Sequence, residues 1–329
     1  MYIKRLPDFE YLEPKNINEA CTLLQKYDGE VRVLAGGTDL LVNMKRMRIT
    51  PKYLIGLRNV SNLDSIIWSK TNGLYLGAMV TLQSIIDNPV IEEKFSILAS
   101  ACSNIGPPYI RSHGTIGGNL CQDTKCLYYT RFHQGHEAPC FQAGGDACYA
   151  VKGAKRCSAM AIVDSAPALI CLGATVCIAG PNGERICPIE DFFISSGLVN
   201  LHEGEILTGI QIPYPSPHSG GVYLRHSLTG ALGFALASVA VVLIANGEVC
   251  EDARISLLGV ARVPIRAKNA ENLLKGKKID NLAEQAAQTA SSETHPMGDI
   301  FGSARYKKEM VKVLAKQAIC QAWEQVKSV

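Results

Sequence analysis

The sequence has no block of like charge. Thirty-three Lys and Arg stand against thirty Asp and Glu over 329 residues, a net charge of +3, and the two signs are interleaved. A nucleic-acid partner, which calls for a basic stripe to meet phosphates, is not expected. A long apolar run is missing too. The longest, ALGFALASVAVVLIA at residues 231–245, falls short of the roughly 18 residues that a spanning helix needs, so no membrane association is expected; it reads as a buried helix end running into a strand. The N-terminal segment MYIKRLPDFEYLEPKN carries Lys4, Arg5, Asp8 and Glu10 without an apolar centre, unlike a secretory signal. The expected compartment is therefore the cytoplasm, where disulfides are rare. Internal repeats and low-complexity segments are also lacking.

Cysteine, by contrast, is plentiful. Five of the chain's twelve lie within CQDTKCLYYTRFHQGHEAPCFQAGGDACYAVKGAKRC, residues 121–157. A disulfide framework suits short secreted chains, and a chain of this length with 47% apolar residues can bury a core without covalent staples. A zinc site, with His133 and His136 in the same stretch, and an iron-sulfur cluster both remain open. The other seven, Cys21, Cys171 and Cys320 among them, read as small buried hydrophobes.

Periodicity divides the chain into units. Asn16 to Glu19 forms a capping box ahead of Ala20, Leu23, Leu24 and Tyr27 at helical spacing. VRVLA (residues 31–35) is a buried strand, followed by Gly36-Gly37-Thr38-Asp39, a helical pattern through Leu40, Leu41, Met44 and Met47, and the strand YLIGL (residues 53–57). LYLGAMV (residues 74–80) opens a second unit, with Thr81 as an N-cap and a helix placing Phe95, Leu98, Ala99 and Cys102 on one face. Apolar strands resume at residues 168–178. Pro213, Pro215, Pro217, Gly220 and Gly221 mark a boundary. Beyond them come a hairpin at residues 239–260, turning at Asn246-Gly247 in a type I′ turn, and a last helix over about residues 303–326 with Tyr306, Met310, Val313 and Leu314 on one face.

Two loops stand out chemically. In LAGGTDLL (residues 34–41), two glycines between a strand and a helix let the backbone approach an anion, and helix N–H groups face it. The spacing fits neither the GxGxxG dinucleotide turn nor a P-loop. Asp39 would repel a diphosphate, so its carboxylate is expected to turn aside onto backbone amides. GTIGGNL (residues 114–120) reads as a second backbone-donor loop, and one diphosphate-bearing cofactor held between two units would use both.

The pair AGGTDLL and TIGGN, with APALICLGA (residues 166–174) and EILTGIQIP (residues 205–213), resembles the FAD-binding subunits of the molybdenum hydroxylases, the xanthine dehydrogenase and carbon monoxide dehydrogenase family. The resemblance spans essentially the whole chain. It implies an α+β chain with a two-subdomain, vanillyl-alcohol-oxidase-like FAD fold: subdomains at residues 1–58 and 59–217, and a C-terminal α+β domain at residues 218–329. By motif, Arg32, Val33, Leu34, Ala35, Gly36, Gly37, Thr38 and Asp39 would line the pyrophosphate loop. Thr115, Ile116, Gly117, Gly118 and Asn119 would form the second FAD loop, and Asp164 would bind ribityl or ribose hydroxyls. Ile105, Leu207 and Arg225 fall where the family has flavin contacts.

The Cys-rich insert, residues 121–160, departs from the common pattern and resembles the beta subunit of 4-hydroxybenzoyl-CoA reductase, which carries an additional 4Fe-4S cluster. A related insert occurs in the flavin subunit of a bacterial periplasmic aldehyde oxidoreductase. Cys126, Cys140, Cys148 and Cys157, separated by 13, 7 and 8 residues, are the ligands this implies, and the last two intervals fit the reductase's pattern. Cys121 competes for the first position but sits two residues past Asn119, in the flavin loop.

The resemblance implies an electron-transfer flavoprotein subunit. Molybdopterin and 2Fe-2S clusters would lie on a large and a small partner subunit, in a dimer of heterotrimers. Electrons would pass between a ferredoxin-like or nicotinamide partner, the 4Fe-4S cluster, FAD and the 2Fe-2S subunit. Alternatives are the FAD subunit of a xanthine- or aldehyde-dehydrogenase-type hydroxylase, a stand-alone FAD oxidoreductase, and a zinc-stabilised interaction module without catalysis. The sequence offers no acid/base set for a self-contained enzyme.

Overall fold

The structure is a computed structural model and describes residues 5–131, 139–230, 233–279 and 281–327. Its first unit is a three-stranded parallel sheet of β1 (Glu10–Leu12), β2 (Val31–Leu34) and β3 (Tyr53–Gly56), with β3 in the middle. The helix Ile17–Lys26 covers it. Asn16 caps this helix by accepting from Glu19 N at 2.9 Å, while Glu19 Oε2 reaches back to Lys15 N at 2.8 Å; the reciprocal bond of the capping box lands one residue early. Ala20 and Cys21 face the sheet, and Tyr27 stacks on Tyr53 with ring centroids 4.0 Å apart.

The second unit is a five-stranded antiparallel sheet of β4 (Ile66–Ser69), β5 (Gly73–Gly77), β6 (Thr175–Gly180), β7 (Gly183–Pro188) and a later strand, Ile206–Ile212. Between β7 and that strand, β8 (Phe193–Ser195) and β9 (Leu198–Val199) form a small ribbon, which makes Ile206–Ile212 β10. The sheet order is β4-β5-β10-β6-β7. Among the described residues, the chain between β5 and β6 runs as short helices and the Cys-rich loop. Leu74, Leu76, Phe95, Leu98, Ile116, Leu169 and Ile210 meet there in one core. Thr81 is the N-cap of Leu82–Ile86, accepting from Ser84 N.

The third unit is an antiparallel sheet of β11 (Ser219–His226), β12 (Ala237–Asn246), β13 (Val249–Leu258) and β14 (Ile265–Arg266), in that order. The helices Lys268–Leu274, Ala283–Ser292 and Ala304–Lys327 cover it. Ala240 and Val242 enter the core of the second unit, while Val239, Val241 and Leu243 enter that of the third. A strand buried on both faces reads as an unbroken apolar run. That corrects the sequence reading of a helix end: residues 233–236 are not helical, and residues 231 and 232 lie outside the described residues.

Three further expectations change. Ser165–Cys171 is a helix, every residue of it buried, so the uniformly apolar SAPALIC lacked the period that separates helix from strand; the strand starts at Thr175. The 239–260 hairpin turns on Gly247-Glu248, with Asn246 paired to Val249 and positive φ at Gly247 but not Glu248, a type II′ pattern rather than I′. The final helix buries Val311, Leu314, Ala315, Ala318, Ile319 and Ala322, whereas Tyr306 and Val313 are exposed. Small alanines let this helix lie close to β11 and β12. Among the described residues no helix is long and apolar enough to cross a membrane.

Phe95 is 1% exposed and meets Trp68 edge-on at 5.5 Å. Phe95→Ala should lower stability by about 3–5 kcal/mol, measured as a shift of the urea midpoint without change in slope.

Candidate functional site

The first and second units enclose a cleft of about 440 Å³, within the usual range for small-molecule and cofactor sites. One wall is the turn after β2. Gly37 takes φ +73°, left-handed backbone that glycine adopts without strain. The chain then enters the helix Leu40–Lys45. Among the described residues, no carbonyl or side chain accepts from the backbone N–H groups of Gly36, Gly37, Thr38, Asp39 or Leu40, whereas Leu41 N already bonds Gly37 O. Five donors in a row therefore stand open at the cleft, where a diphosphate would satisfy them.

The second loop makes the opposite wall, but not in the manner expected from sequence. Thr115 caps the short helix Ile116–Leu120. Ile116 N donates to Val80 O, Gly117 N to Ala78 O, Gly118 N to Thr115 Oγ1 and Asn119 N to Thr115 O. Its donors are spent inside the protein. What the loop contributes is absence of bulk: a Cβ on Gly118 would meet only Thr115 Oγ1 among nearby atoms, so its open side faces the cleft.

The carboxylates around the cleft are all engaged. Asp39 turns aside as expected: Oδ2 accepts from Asp123 N at 2.8 Å, and Oδ1 pairs with Lys125. Asp123 is held by Asn43, Arg48 and the Tyr129 hydroxyl at 3.2, 3.3 and 2.9 Å. Glu205 receives two bonds of 2.7 Å from Arg185, which hold its pKa below the ordinary glutamate value. Burial, with the Asp123 charge and hydrogen bond added, pushes the Tyr129 phenol far above its ordinary value, so it stays protonated as a donor.

Arg32, Val33, Ala35, Gly36, Gly37, Thr38, Asp39, Thr115, Gly117, Gly118 and Leu207 line the cleft. Leu34 and Ile116 do not; Ile116 is fully buried in the core of the second unit. Ile105 packs against that same core. Asn119 turns away, its Oδ1 accepting from Ser165 Oγ at 2.6 Å. Asp164 and Arg225 form a buried pair at 3.0 Å, their side chains 8% and 4% exposed. Tyr223 adds a 2.8 Å bond to Asp164 Oδ1, and Arg225 is further tied to Ser227 and to the carbonyls of Gly230 and Gly233. Burial raises the Asp164 pKa, with Arg225 and Tyr223 opposing it. Its Oδ1 thus joins β11 to the second unit, and Asp164 is not among the residues that line the cleft. Sequence reasoning set Cys121 in the flavin loop, where it does line the cleft, and missed Asn43, Leu57, Met79, Asp123 and Tyr129. Of these only Asp123 carried a signal, being close to TIGGN.

Beside this cleft, Cys126, Cys140, Cys148 and Cys157 line one small cavity, though 30 residues of chain separate the first from the last. Burial raises the Cys157 pKa, and the nearby charges of Cys126, Cys148 and Cys140 raise it further. At Cys148, burial is outweighed by N–H groups of Val151, Ala150 and Ser158 directed at the sulfur, and its pKa falls. Cys121 is apart from these four and faces the cleft. Among the described residues no three His, Cys, Asp or Glu are placed to share a single metal ion; His133 and His136 lie outside them. Of the remaining cysteines, Cys21, Cys102, Cys171, Cys187 and Cys250 are buried as expected, but Cys320 is exposed.

Two units meeting at an anion-accepting turn, with a third packed behind, define the class of two-loop cofactor-binding proteins. Comparison with known proteins fixes the family. Residues 7–215 match the FAD binding domain in molybdopterin dehydrogenase, and residues 224–322 the CO dehydrogenase flavoprotein C-terminal domain. The chain is 32% identical to the carbon monoxide dehydrogenase medium chain of Afipia carboxidovorans over 97% of this chain and 98% of that one. It is 29% identical to the nicotine 6-hydroxylase medium subunit of Paenarthrobacter nicotinovorans over 97% and 98%. Among solved structures it resembles carbon monoxide dehydrogenase from Hydrogenophaga pseudoflava with a TM-score of 0.81, 29% identity and coverage of 97% and 99%. The protein belongs to the FAD-binding medium subunits of the molybdenum hydroxylase family.

Removing one partner of a buried ion pair strands the other charge. Arg225→Ala should cost about 3–5 kcal/mol, read by thermal and chemical denaturation, with the cleft residues themselves untouched.

Proposed function

We propose that the protein is the electron-transferring flavoprotein subunit of a molybdenum enzyme and holds a 4Fe-4S cluster as an extra relay beside its FAD. The observation that carries this reading is the juxtaposition of the open N–H row at Gly36 to Leu40 with a four-cysteine cavity next to it. FAD, when bound, exchanges electrons singly or in pairs and so joins one-electron carriers to two-electron chemistry. The chain's part is to hold it. The N–H groups after β2 take the diphosphate, Gly118 leaves the opposite wall open, and Lys125 keeps the Asp39 charge off it. Leu57, Met79, Ile206 and Leu207 supply apolar wall that excludes water.

The cysteines suit a cluster better than one zinc ion. Thiolates around one Zn²⁺ sit about 2.3 Å from it, and among the described residues no three His, Cys, Asp or Glu are placed to share a single ion. A cubane takes four thiolates set wider apart. The N–H groups of Val151, Ala150 and Ser158 directed at the Cys148 sulfur favour its thiolate form, the form that binds iron. The cavity they line is small, about 10 Å³.

Large molybdenum and small 2Fe-2S subunits complete the complex, arranged as a dimer of heterotrimers. An added relay favours entry of electrons from a low-potential, ferredoxin-like donor, as in a 4-hydroxybenzoyl-CoA-reductase-like reaction; a hydroxylase of the xanthine or aldehyde dehydrogenase type would run them outward.

Anaerobically purified complex should show flavin bands with broad iron-sulfur absorbance near 400 nm and, on reduction, an EPR signal from this subunit. Flavin with zinc in place of iron would reject the cluster. Cys148→Ser should remove this subunit's iron and leave flavin bound, whereas Cys121→Ser should spare the iron, both scored by metal analysis against flavin content.

A further inference from the structure

Tyr129 is the one described residue that lines both the cofactor cleft and the four-cysteine cavity. Its place follows from a single helical turn. The helix Leu127–Arg131 starts from Cys126, whose carbonyl accepts from Thr130 N at 2.8 Å, and residues three apart on a helix share a face. The ring at position 129 is therefore bound to stand beside the sulfur at position 126.

The ring is also clamped from the cleft side. Its hydroxyl donates to Asp123 Oδ2 at 2.9 Å. The Arg48 guanidinium carbon lies 4.7 Å from the ring centroid, close enough for a cation–π contact, and Arg48 Nη2 bonds both Asn43 and Asp123. The Arg48 side chain is only 4% exposed, and its Nε and Nη1 find no partner among the described residues. A buried cation left partly unpaired is costly, and here it is spent on an aromatic face and one carboxylate.

We propose that Tyr129 is a positioning residue for electron transfer: its ring closes the gap between the cysteine cavity and the flavin cleft, and Arg48 and Asp123 hold it there. The inference rests on the reading that the four cysteines hold an iron-sulfur cluster. An external one-electron donor reduces the cluster, one electron then moves from cluster to flavin, and no bond is made or broken. The tyrosine is not itself oxidised. It keeps water out of the gap and holds packed atoms along the path.

The test uses the intact complex, mixed anaerobically with reduced methyl viologen as the one-electron donor, following the cluster and flavin absorbance bands in a stopped-flow instrument. Tyr129→Leu should slow flavin reduction relative to cluster reduction by about ten-fold, while Tyr129→Phe, which keeps the ring, should stay within about two-fold of the parent. Tyr129→Met fills the gap without a ring and repeats the test should the leucine variant load cofactors poorly. Wild-type transfer rates in a leucine or methionine variant with full iron and flavin would overturn the inference. So would equal slowing in the phenylalanine variant, or loss of iron from both ring-less variants, which would make the ring part of the cage. Absence of iron from the parent protein would instead sink the underlying reading, and the inference with it.

Discussion

Everything at the site depends on two backbone loops crossing with no room for a side chain. A Cβ at Gly36 would lie 1.8 Å from His113 O, and one at Gly117 would lie 2.7 Å from Ala78 O. Neither neighbour is a flexible side-chain tip; both are backbone carbonyls. The first approach presses the loop carried by the parallel sheet against the chain just ahead of the second loop, the other seats the second loop on the end of β5, and the cleft exists because the two loops meet. The contact also divides labour: the second loop spends its N–H groups on fixing itself to Val80 and Ala78, which leaves the first free to present its own.

The same crossing sets where the Cys-rich insert can go. It leaves directly from the second loop, and its first residues are drawn back over the first: Asp123 N and the Lys125 ammonium both fasten to Asp39. The carboxylate that ought to repel a diphosphate thus becomes the anchor that brings the insert to the cleft edge. Six residues on from Asp123, Tyr129 returns a bond to the same aspartate. Asp123 links the AGGTD turn, Arg48 and the insert into one network, and the four cysteines lie just beyond it.

Much of this was legible in the sequence, and what was missed has physical causes. Gly-Gly between a strand and a helix, and the Thr81 cap, are local signals and were read as such. Cys126, Cys140, Cys148 and Cys157 could be grouped, and Cys121 set aside, from spacing with the family resemblance. Which backbone donors are free could not be read, because it turns on Val80 and Ala78, more than thirty residues from each other's partners in neither motif but brought in by the fold. Nor could the pairing of Asp164 with Arg225 be read, since the two belong to different units. Ala231 to Ala245 misled for another reason: a strand buried on both faces has no alternation to betray it. Arg48 and Tyr129, eighty-one positions apart, carried no pattern at all.

The central claim is that the open N–H row and the four-cysteine cavity are two adjacent cofactor sites on one chain. Anomalous diffraction from crystals of the anaerobic complex, recorded on both sides of the iron absorption edge, tests it most directly. The account predicts iron density enclosed by Cys126, Cys140, Cys148 and Cys157, with the FAD diphosphate against Gly36 to Leu40 and the Tyr129 ring between the two. Iron confined to the partner subunits, with these four cysteines around nothing but solvent or a lone zinc, would contradict it.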